Sequence, residues 1–513
     1  MDWNEGYVAG IDYPTGFFRE QSPVHLSFAC LTHGVEPVAL DRPFNYLELG
    51  AGQGLTASVL AAANPQGRFH AIDFSPSHVQ SARELAQAAE LDNLCVLEHS
   101  FAELAAGLVD LPPMDFITMY GVYSWVDAGN RKHIVDLIAR YLKPGGIVYL
   151  NYNAMPGWSP SLPLQRLILE RTQTDRHATH EQLGQAREMV QQLQALGATF
   201  FDGNPNLQYR LDSLRNDKGG YLAHEYMSDG WMPLYHADVA RAMAGAKMDY
   251  IGSGELAQAF PRLYLTPQQQ ALLDTVDDPM LRETVKDYMT NTSFREDIYI
   301  RGARRMSTTR REHWLRQIGL ALTSLPDMLT LELDLSIGKV KADPRYYQPV
   351  LDALVRRPHS LVELAEIPAL FPLSLEDIGQ MAALLTASGQ ACAYFLSAAE
   401  LPVAPAQRLN AALAEASRFK DHYQVLASPL LGNGLAAGLI QRLLFRQLRR
   451  PSDRLDLQQC VQQMHDVLQA QQQPLFREGR VLQTQEEVLG ELHHLTEAIV
   501  TRRVPIWRTL NML

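Results

Sequence analysis

The stretch NYLELGAGQGLTASVL, residues 45–60, limits what this chain can fold into more than any other. Tyr46, Leu47 and Leu49 are apolar and strand-like, Gly50, Gly52 and Gly54 follow at once, and Thr56 to Ala63 is alanine-rich and reads as a helix. A strand, a glycine turn and a helix in succession open a parallel α/β unit, and bare backbone in the turn lets a ligand approach closely. A dinucleotide loop of the form G-x-G-x-x-G would put its third glycine at position 55, where Leu55 stands. That glycine comes one step early, at Gly54, and the acid Glu48 lies two residues before Gly50. The loop alone leaves open whether its ligand is a dinucleotide or another adenosine-bearing cofactor.

Strand and helix patterns alternate after the loop. RFHAIDF (68–74), LCVLEHSF (94–101), MDFITMY (114–120) and GIVYLNYN (146–153) read as strands, with helical patterns at 77–91 and 131–142. This alternation predicts a parallel sheet with helices on both faces. The rhythm breaks at AMPGWSPSLP (154–163), and two helical patterns follow. The second carries an apolar stripe of Leu183, Ala186, Met189, Val190, Leu193 and Leu196, expected to pack on a middle domain or a twin subunit. Segments 221–227, 237–246 and 247–254 read as a closing strand, helix and strand. The sheet domain is therefore expected at 1–258 with a helical insertion at 156–220. A mostly helical middle domain is placed at 259–335, within which LTLELDL (329–335) alternates like an exposed strand. A winged-helix-like module is placed at 336–405 and a helical domain at 406–513.

At 513 residues the chain is long enough for roughly three domains. Its net charge of −12 disfavours nucleic acid, and residues 344–405 hold three arginines, no lysine and six acids, a poor phosphate footprint. No apolar run is long enough to span a bilayer, and the acidic start lacks the basic and apolar regions of a signal peptide. Cys30, Cys95, Cys392 and Cys460 are scattered, with no C-x-x-C, as expected of thiols in a reducing cytoplasm. His224–Glu225 lacks the second histidine of H-E-x-x-H, Ser228 standing there instead, so no metal site is expected.

Asp73 ends the second strand, where an acid meets a ribose in both kinds of cofactor fold. Glu48, the compressed glycines and HSFAEL (99–104) together resemble class I S-adenosylmethionine-dependent methyltransferases with their E-x-G-x-G-x-G loop. The chemistry agrees: this cofactor has no pyrophosphate to seat on a helix N-terminus, but a sulfonium, an amine and a carboxylate. The resemblance implies an α/β, Rossmann-like core. It also implies S-adenosyl-L-methionine held by Glu48, Gly50, Ala51, Gly52, Asp73, Phe74, Ser100, Phe101, Tyr120 and Gly121. Many members carry an acid at the Ser100 position.

Five further stretches resemble bacterial methyltransferases with a methyltransferase regulatory domain: DYPTGFFREQSP (12–23), MYGVYSWV (119–126), NYNAMPGW (151–158), AHEYM (223–227) and FREDIYIRG (294–302). Protein-lysine methyltransferases of the rickettsial type belong to that group. The resemblance implies a helical insertion, middle and C-terminal domains, often a homodimer, and a protein lysine as methyl acceptor. An amino-terminal lid bearing Tyr7, Tyr13, Phe17 and Phe18 would close over the cofactor, with Tyr13 and Arg19 contacting it. Tyr123, Tyr152 and Asn153 are the expected catalytic residues, and Trp125, Trp158, His224 and Tyr226 the expected substrate contacts. The N-P-P-Y signature of DNA-adenine and protein-glutamine methyltransferases is absent. A small-molecule or lipid-headgroup acceptor, and a non-catalytic cofactor-binding regulator, are the alternatives. The loop chemistry predicts binding of S-adenosylmethionine in preference to NAD. Gly52→Val should abolish it, and Asp73→Ala should weaken it by about 1.5–3 kcal/mol, as read by calorimetry.

Overall fold

In the computed structural model, which describes residues 15–173, 179–201, 205–216, 230–448 and 456–513, the glycine loop sits at the centre of a seven-stranded sheet. The chain runs α1 (Pro23–Thr32), β1 (Phe44–Leu49), α2 (Leu55–Ala63), β2 (Gly67–Asp73), α3 (Pro76–Ala88), β3 (Leu94–Glu98), α4 (Phe101–Ala106), β4 (Met114–Met119), α5 (Ala128–Tyr141) and β5 (Leu142–Asn153). Then come α6 (Leu162–Gln173), α7 (Thr179–Ala195), α8 (Pro205–Asn216), α9 (His236–Ala244), β6 (Met248–Ser253), α10 (Pro267–Asp274), α11 (Pro279–Thr290) and β7 (Phe294–Arg301). The strand order is β3-β2-β1-β4-β5-β7-β6, and β7 runs antiparallel to both of its neighbours. Tyr46, Phe116, Tyr149 and Ile298 pack one face of the sheet against α1 and α2. Leu47, Ile117, Tyr152 and Tyr299 pack the other against α5 and α9.

Two boundaries differ from those read in the sequence. β7 lies between β5 and β6, so the sheet domain extends past residue 258. FREDIYIR hides its strand character because the charged half of its alternation is buried: Arg295 is 6% exposed and Asp297 is 0%. The expected strand at 221–227 lies outside the described residues. Part of the apolar stripe of α7 is covered within the insertion: Ala186 and Val190 meet Leu164 and Ile168 of α6 and Leu207, Leu211 and Leu214 of α8, while Leu196 is exposed and the Leu183 side chain lies outside the described ones. The module expected from 336 begins earlier, because strand Ile318–Leu322 is the middle strand of its three-stranded sheet, between His359–Ser360 and Ala391–Phe395. The segment 329–335 contributes strand Glu332–Leu335, paired with Gly338–Lys341.

The C-terminal helices enclose their own core around Leu426, Phe445, Met464 and Trp507, and they also touch the sheet domain. Arg408 donates to the Ala89 and Glu90 carbonyls, and the hairpin of Val425–Ser428 and Asn433–Ala436 reaches α2 through Asn64 Nδ2 and the Gly432 carbonyl, 2.9 Å apart. Among the described residues, no helix is long and apolar enough to cross a membrane.

A buried ionic network fixes β7. Asp297 Oδ1 accepts from Arg295 Nε at 2.9 Å, and its Oδ2 contacts the Tyr152 hydroxyl at 2.7 Å and His236 Nδ1 at 3.1 Å. Arg295 also donates to Asp287 at 2.6 Å and to the Tyr250 hydroxyl at 2.7 Å. Burial opposes ionisation of Asp297, but the Arg295 charge and these hydrogen bonds outweigh it and hold its carboxyl below the ordinary range. Removing one partner from a buried pair strands the other charge. Arg295→Met is therefore expected to destabilise the protein by about 3–5 kcal/mol, measured by urea unfolding.

Candidate active site

The carboxyl ends of β1, β2 and β4 open into a cavity floored by the glycine loop. The three glycines serve different ends, all with positive φ: +65° at Gly50, +53° at Gly52 and +73° at Gly54. A Cβ on Gly50 would strike Val122 at 2.6 Å and one on Gly54 would strike Ala82 at 2.5 Å. A Cβ on Gly52 would meet nothing within 4 Å; its bare face borders the cavity. Asp73 holds this turn in place: its Oδ2 accepts from the Gly52 N–H at 2.8 Å and its Oδ1 from the Ser75 N–H at 2.9 Å.

Glu48 lies at the bottom, 4% exposed. Its Oε1 accepts from Gln21 Nε2 at 3.2 Å, while its Oε2 is buried without a partner. Burial pushes the Glu48 carboxyl up to about 8, and the Asp73 charge adds to the rise. On β5, Asn151 Oδ1 accepts from the Gly121 N–H at 2.8 Å, fixing the turn after β4, while Asn151 Nδ2 is also without a partner. Residues 15–22 lie along the loop: Thr15 Oγ1 donates to Gln53 at 2.8 Å, the Phe18 N–H to Thr56 Oγ1 at 3.2 Å. The Phe18 ring stacks on Tyr120 with centroids 3.7 Å apart.

Of the residues expected to hold the cofactor, Glu48, Gly50, Ala51, Gly52, Asp73, Phe74, Phe101, Tyr120 and Gly121 line the cavity, as does Trp125. Ser100 and Arg19 do not. Ser100 caps α4, its hydroxyl and backbone N–H both engaged with Glu103. Arg19 turns away, to Glu20 at 3.0 Å and the Ala387 carbonyl at 3.4 Å. Tyr13, Tyr7, His224, Glu225 and Tyr226 lie outside the described residues. Phe17 packs towards Gly434 in the C-terminal hairpin.

The expected catalytic residues separate by strand alternation. Tyr152 points to the other face of the sheet, into the Asp297 network. Tyr123 is buried beside α5 and α9, bordering a groove with Arg131 and Val239, and burial pushes its phenol up to about 12. Trp158 is 1% exposed, against Trp231 with centroids 4.8 Å apart and under the Arg210 guanidinium at 3.7 Å. Asn153 stays at the strand end on the cavity's side of the sheet. Its backbone N–H donates to Ser124 Oγ at 2.8 Å, its side-chain Nδ2 has no partner, and Phe294 stands opposite it on β7.

Sequence reasoning missed Thr15, Gly16, Gln53, His78, Val122 and Val126 in the lining. His78 was within reach of it, since its place one helical turn after Asp73 lets Nδ1 approach that carboxylate at 3.3 Å. The others follow from how separate segments meet.

A methyltransferase-domain family model matches residues 47–148, and a model described as a predicted methyltransferase regulatory domain matches 218–301. Protein sll1526 of Synechocystis is 33% identical over 519 aligned residues that cover 100% of both chains. Protein RP028 of Rickettsia prowazekii is 23% identical over 222 residues, 43% of this chain and 86% of its own. Among solved structures, PKMT2 of Rickettsia typhi in complex with AdoHcy has the same fold, with a TM-score of 0.70 at 16% identity over 98% of this chain and 99% of that one.

The cavity fits S-adenosylmethionine. The unpartnered Glu48 Oε2 suits a cationic amine, the open face of Gly52 admits close approach, and Phe74, Phe101 and Tyr120 offer apolar walls. Because the folded state raises the Glu48 pKa, this carboxyl contributes stability that is fully present below its ordinary range and is lost as pH rises towards about 8. In the cofactor-free protein, Glu48→Gln should flatten part of the fall in unfolding free energy between about pH 5 and pH 8, measured by denaturant titration.

Proposed function

Because the chain belongs to the class I S-adenosylmethionine-dependent methyltransferases that carry a methyltransferase regulatory domain, we propose that it methylates lysine side chains of proteins. Methyl transfer from S-adenosylmethionine is the activity; the lysine acceptor is the finer reading. It draws on the resemblance to rickettsial-type protein-lysine methyltransferases and on the shared fold with PKMT2.

The observation that carries it is a row of aromatic rings leading from the cofactor cavity to the protein surface. Phe18 and Tyr120 line that cavity, Tyr120 approaches Phe294 with centroids 6.4 Å apart, and Phe294 is 38% exposed. The cofactor supplies a methyl group on a sulfonium. The protein must align a neutral amine with it and exclude water. A lysine ammonium, with a pKa of about 10.4, has to shed its shell of water and a proton first. Aromatic walls strip water without adding charge, and they favour a cation by about 0.5–2 kcal/mol on approach. The side-chain carbonyl of Asn153, whose strand partner on β7 is Phe294, is suited to orient the amine by accepting one of its N–H groups.

Incubating purified protein with labelled cofactor and host lysate, followed by intact-mass and peptide analysis, tests the reading; methyl groups on lysines support it and methyl groups only on small molecules overturn it. In the same assay Asn153→Ala should leave cofactor affinity nearly unchanged and lower turnover at least about tenfold, near 1.4 kcal/mol of barrier. Tyr123→Ala should instead lower the melting temperature.

A further inference from the structure

A second cavity, sharing no lining residue with the cofactor site, lies where the C-terminal helices meet the module built on strand Ile318–Leu322. Its volume is about 490 Å³, within the range of pockets that bury a small ligand. Its walls are aliphatic. Leu325 comes from the segment after that strand, Leu439 and Ile440 from helix Leu439–Leu448, Leu468 from the end of helix Leu457–Ala470, and Leu475 and Leu495 from the chain beyond. All of these but Leu468 are only half-buried, so apolar surface is left uncovered by the protein's own packing. No aromatic ring stands among the described lining residues. The polar side is basic. Arg502 and Arg503 end a single π-helical turn, Ile499–Arg503, between helices Gln485–Ala498 and Val504–Thr509, and such turns recur at functional sites. Arg502 pairs with Asp327 at 2.6 Å, and Asp421, which also lines the cavity, pairs with Arg442. Arg503 has no carboxylate partner among the described residues. Its Nη1 donates to the Thr323 carbonyl at 2.8 Å, its Nε is buried without a partner, and burial lowers its pKa with no neighbouring acid to raise it. The remaining Nε–Nη2 edge has the fork geometry that matches a carboxylate. Gly438 and Gln441 also line the cavity, which places the start of helix Leu439–Leu448 there, and the first N–H groups of a helix favour an anion.

We propose that this cavity binds a free aliphatic carboxylate of the size of a medium-chain fatty acid, with its head on Arg503 and its chain among the leucines. The head supplies the countercharge that the fold withholds from a partly buried guanidinium. The chain covers the half-buried leucine surface. A planar ring would find no stacking partner among the described walls. A peptide would bring backbone amides into mainly aliphatic surroundings, a cost that an alkyl chain avoids. The event is binding alone, with no bond made or broken. It uses none of the residues assigned to methyl transfer, so it stands or falls apart from the lysine reading.

The test is calorimetry on the full chain at about pH 7, where a carboxylic acid is ionised. The probes are decanoate, the neutral 1-decanol and acetate, all below micelle-forming concentrations. Decanoate should saturate a single site per chain and bind roughly tenfold tighter than decanol, with a negative heat-capacity change from apolar burial. Acetate, the head without the chain, should show no binding at about 10 mM. Arg503→Met keeps an apolar stem and should bring decanoate down to the affinity of decanol. Because Arg503 also holds the Thr323 carbonyl, melting temperature is measured alongside. A second arm needs no variant: a diazirine-bearing decanoate is photo-crosslinked to the wild-type protein, with label expected on peptides spanning 438–441, 468–475 and 495–503. Several outcomes overturn the proposal: no decanoate binding at about 1 mM, equal affinity for decanoate and decanol, binding that does not saturate, label confined to other peptides, or a folded Arg503→Met that keeps the wild-type preference. Tighter binding of acetyl-trileucine, which carries the same head on a peptide body, overturns the choice of a free aliphatic acid.

Discussion

The pair between Arg295 and Asp297 is the interaction on which the rest of the structure turns. Both side chains are buried on one face of β7, and Asp297 gathers the Tyr152 and Tyr299 hydroxyls and His236 around it. A buried ion pair is weak evidence of net stability, since desolvation offsets much of the attraction. Its stronger effect here is on register. Strand side chains alternate, so a slip of one residue would carry Arg295 and Asp297 to the α1 and α2 side and Phe294 and Glu296 into the network. With the register locked, Phe294 faces Asn153 and Glu296 faces Asn151. The same strand therefore anchors the sheet on one face and presents Phe294 and Glu296 on the other.

The region matched by the regulatory-domain model is, by this geometry, part of the sheet: it supplies β6, β7 and the helices between them. The C-terminal domain is likewise joined to the site. Residues 15–22 lie between the glycine loop and the C-terminal hairpin. Gln21 and Phe18 reach Glu48 and Thr56 on one side. On the other, Ser22 Oγ donates to the Gly432 carbonyl at 2.9 Å and Asn433 Nδ2 to the Arg19 carbonyl at 3.1 Å. Through these bonds the segment links the C-terminal hairpin to the cofactor cavity.

Two carboxyls on the α1 and α2 face of the sheet, Glu48 and Glu296, are both pushed up to about 8, chiefly by burial. They lie on either side of Tyr120 and Asn151 in strand order, one at the cofactor cavity and one on β7. Acids that the fold leaves reluctant to ionise are suited to meet positive charge, and S-adenosylmethionine brings a sulfonium and an amine.

Local signals carried the parallel strands, the glycine loop, Glu48 and Asp73, because each belongs to a continuous strand–turn–helix unit whose periodicity and turn chemistry are written within a few residues. The resemblance of short motifs extended this to the cofactor. What the sequence could not show is which face a residue would take once a distant strand paired beside it. Tyr152 and Asn153 are neighbours in sequence, yet one enters the ionic network and the other takes the α1 and α2 face, because successive strand residues point to opposite faces. FREDIYIR reads as polar and gives no sign of a central strand, since its charges are neutralised by one another and by residues far off in the chain. The motif resemblance places Arg19 and Ser100 at the cofactor, but their hydrogen bonds lead to Ala387 and Glu103. Local order was set by the sequence alone; the allocation of side chains between anchor and site was decided by long-range pairing, which no local pattern encodes.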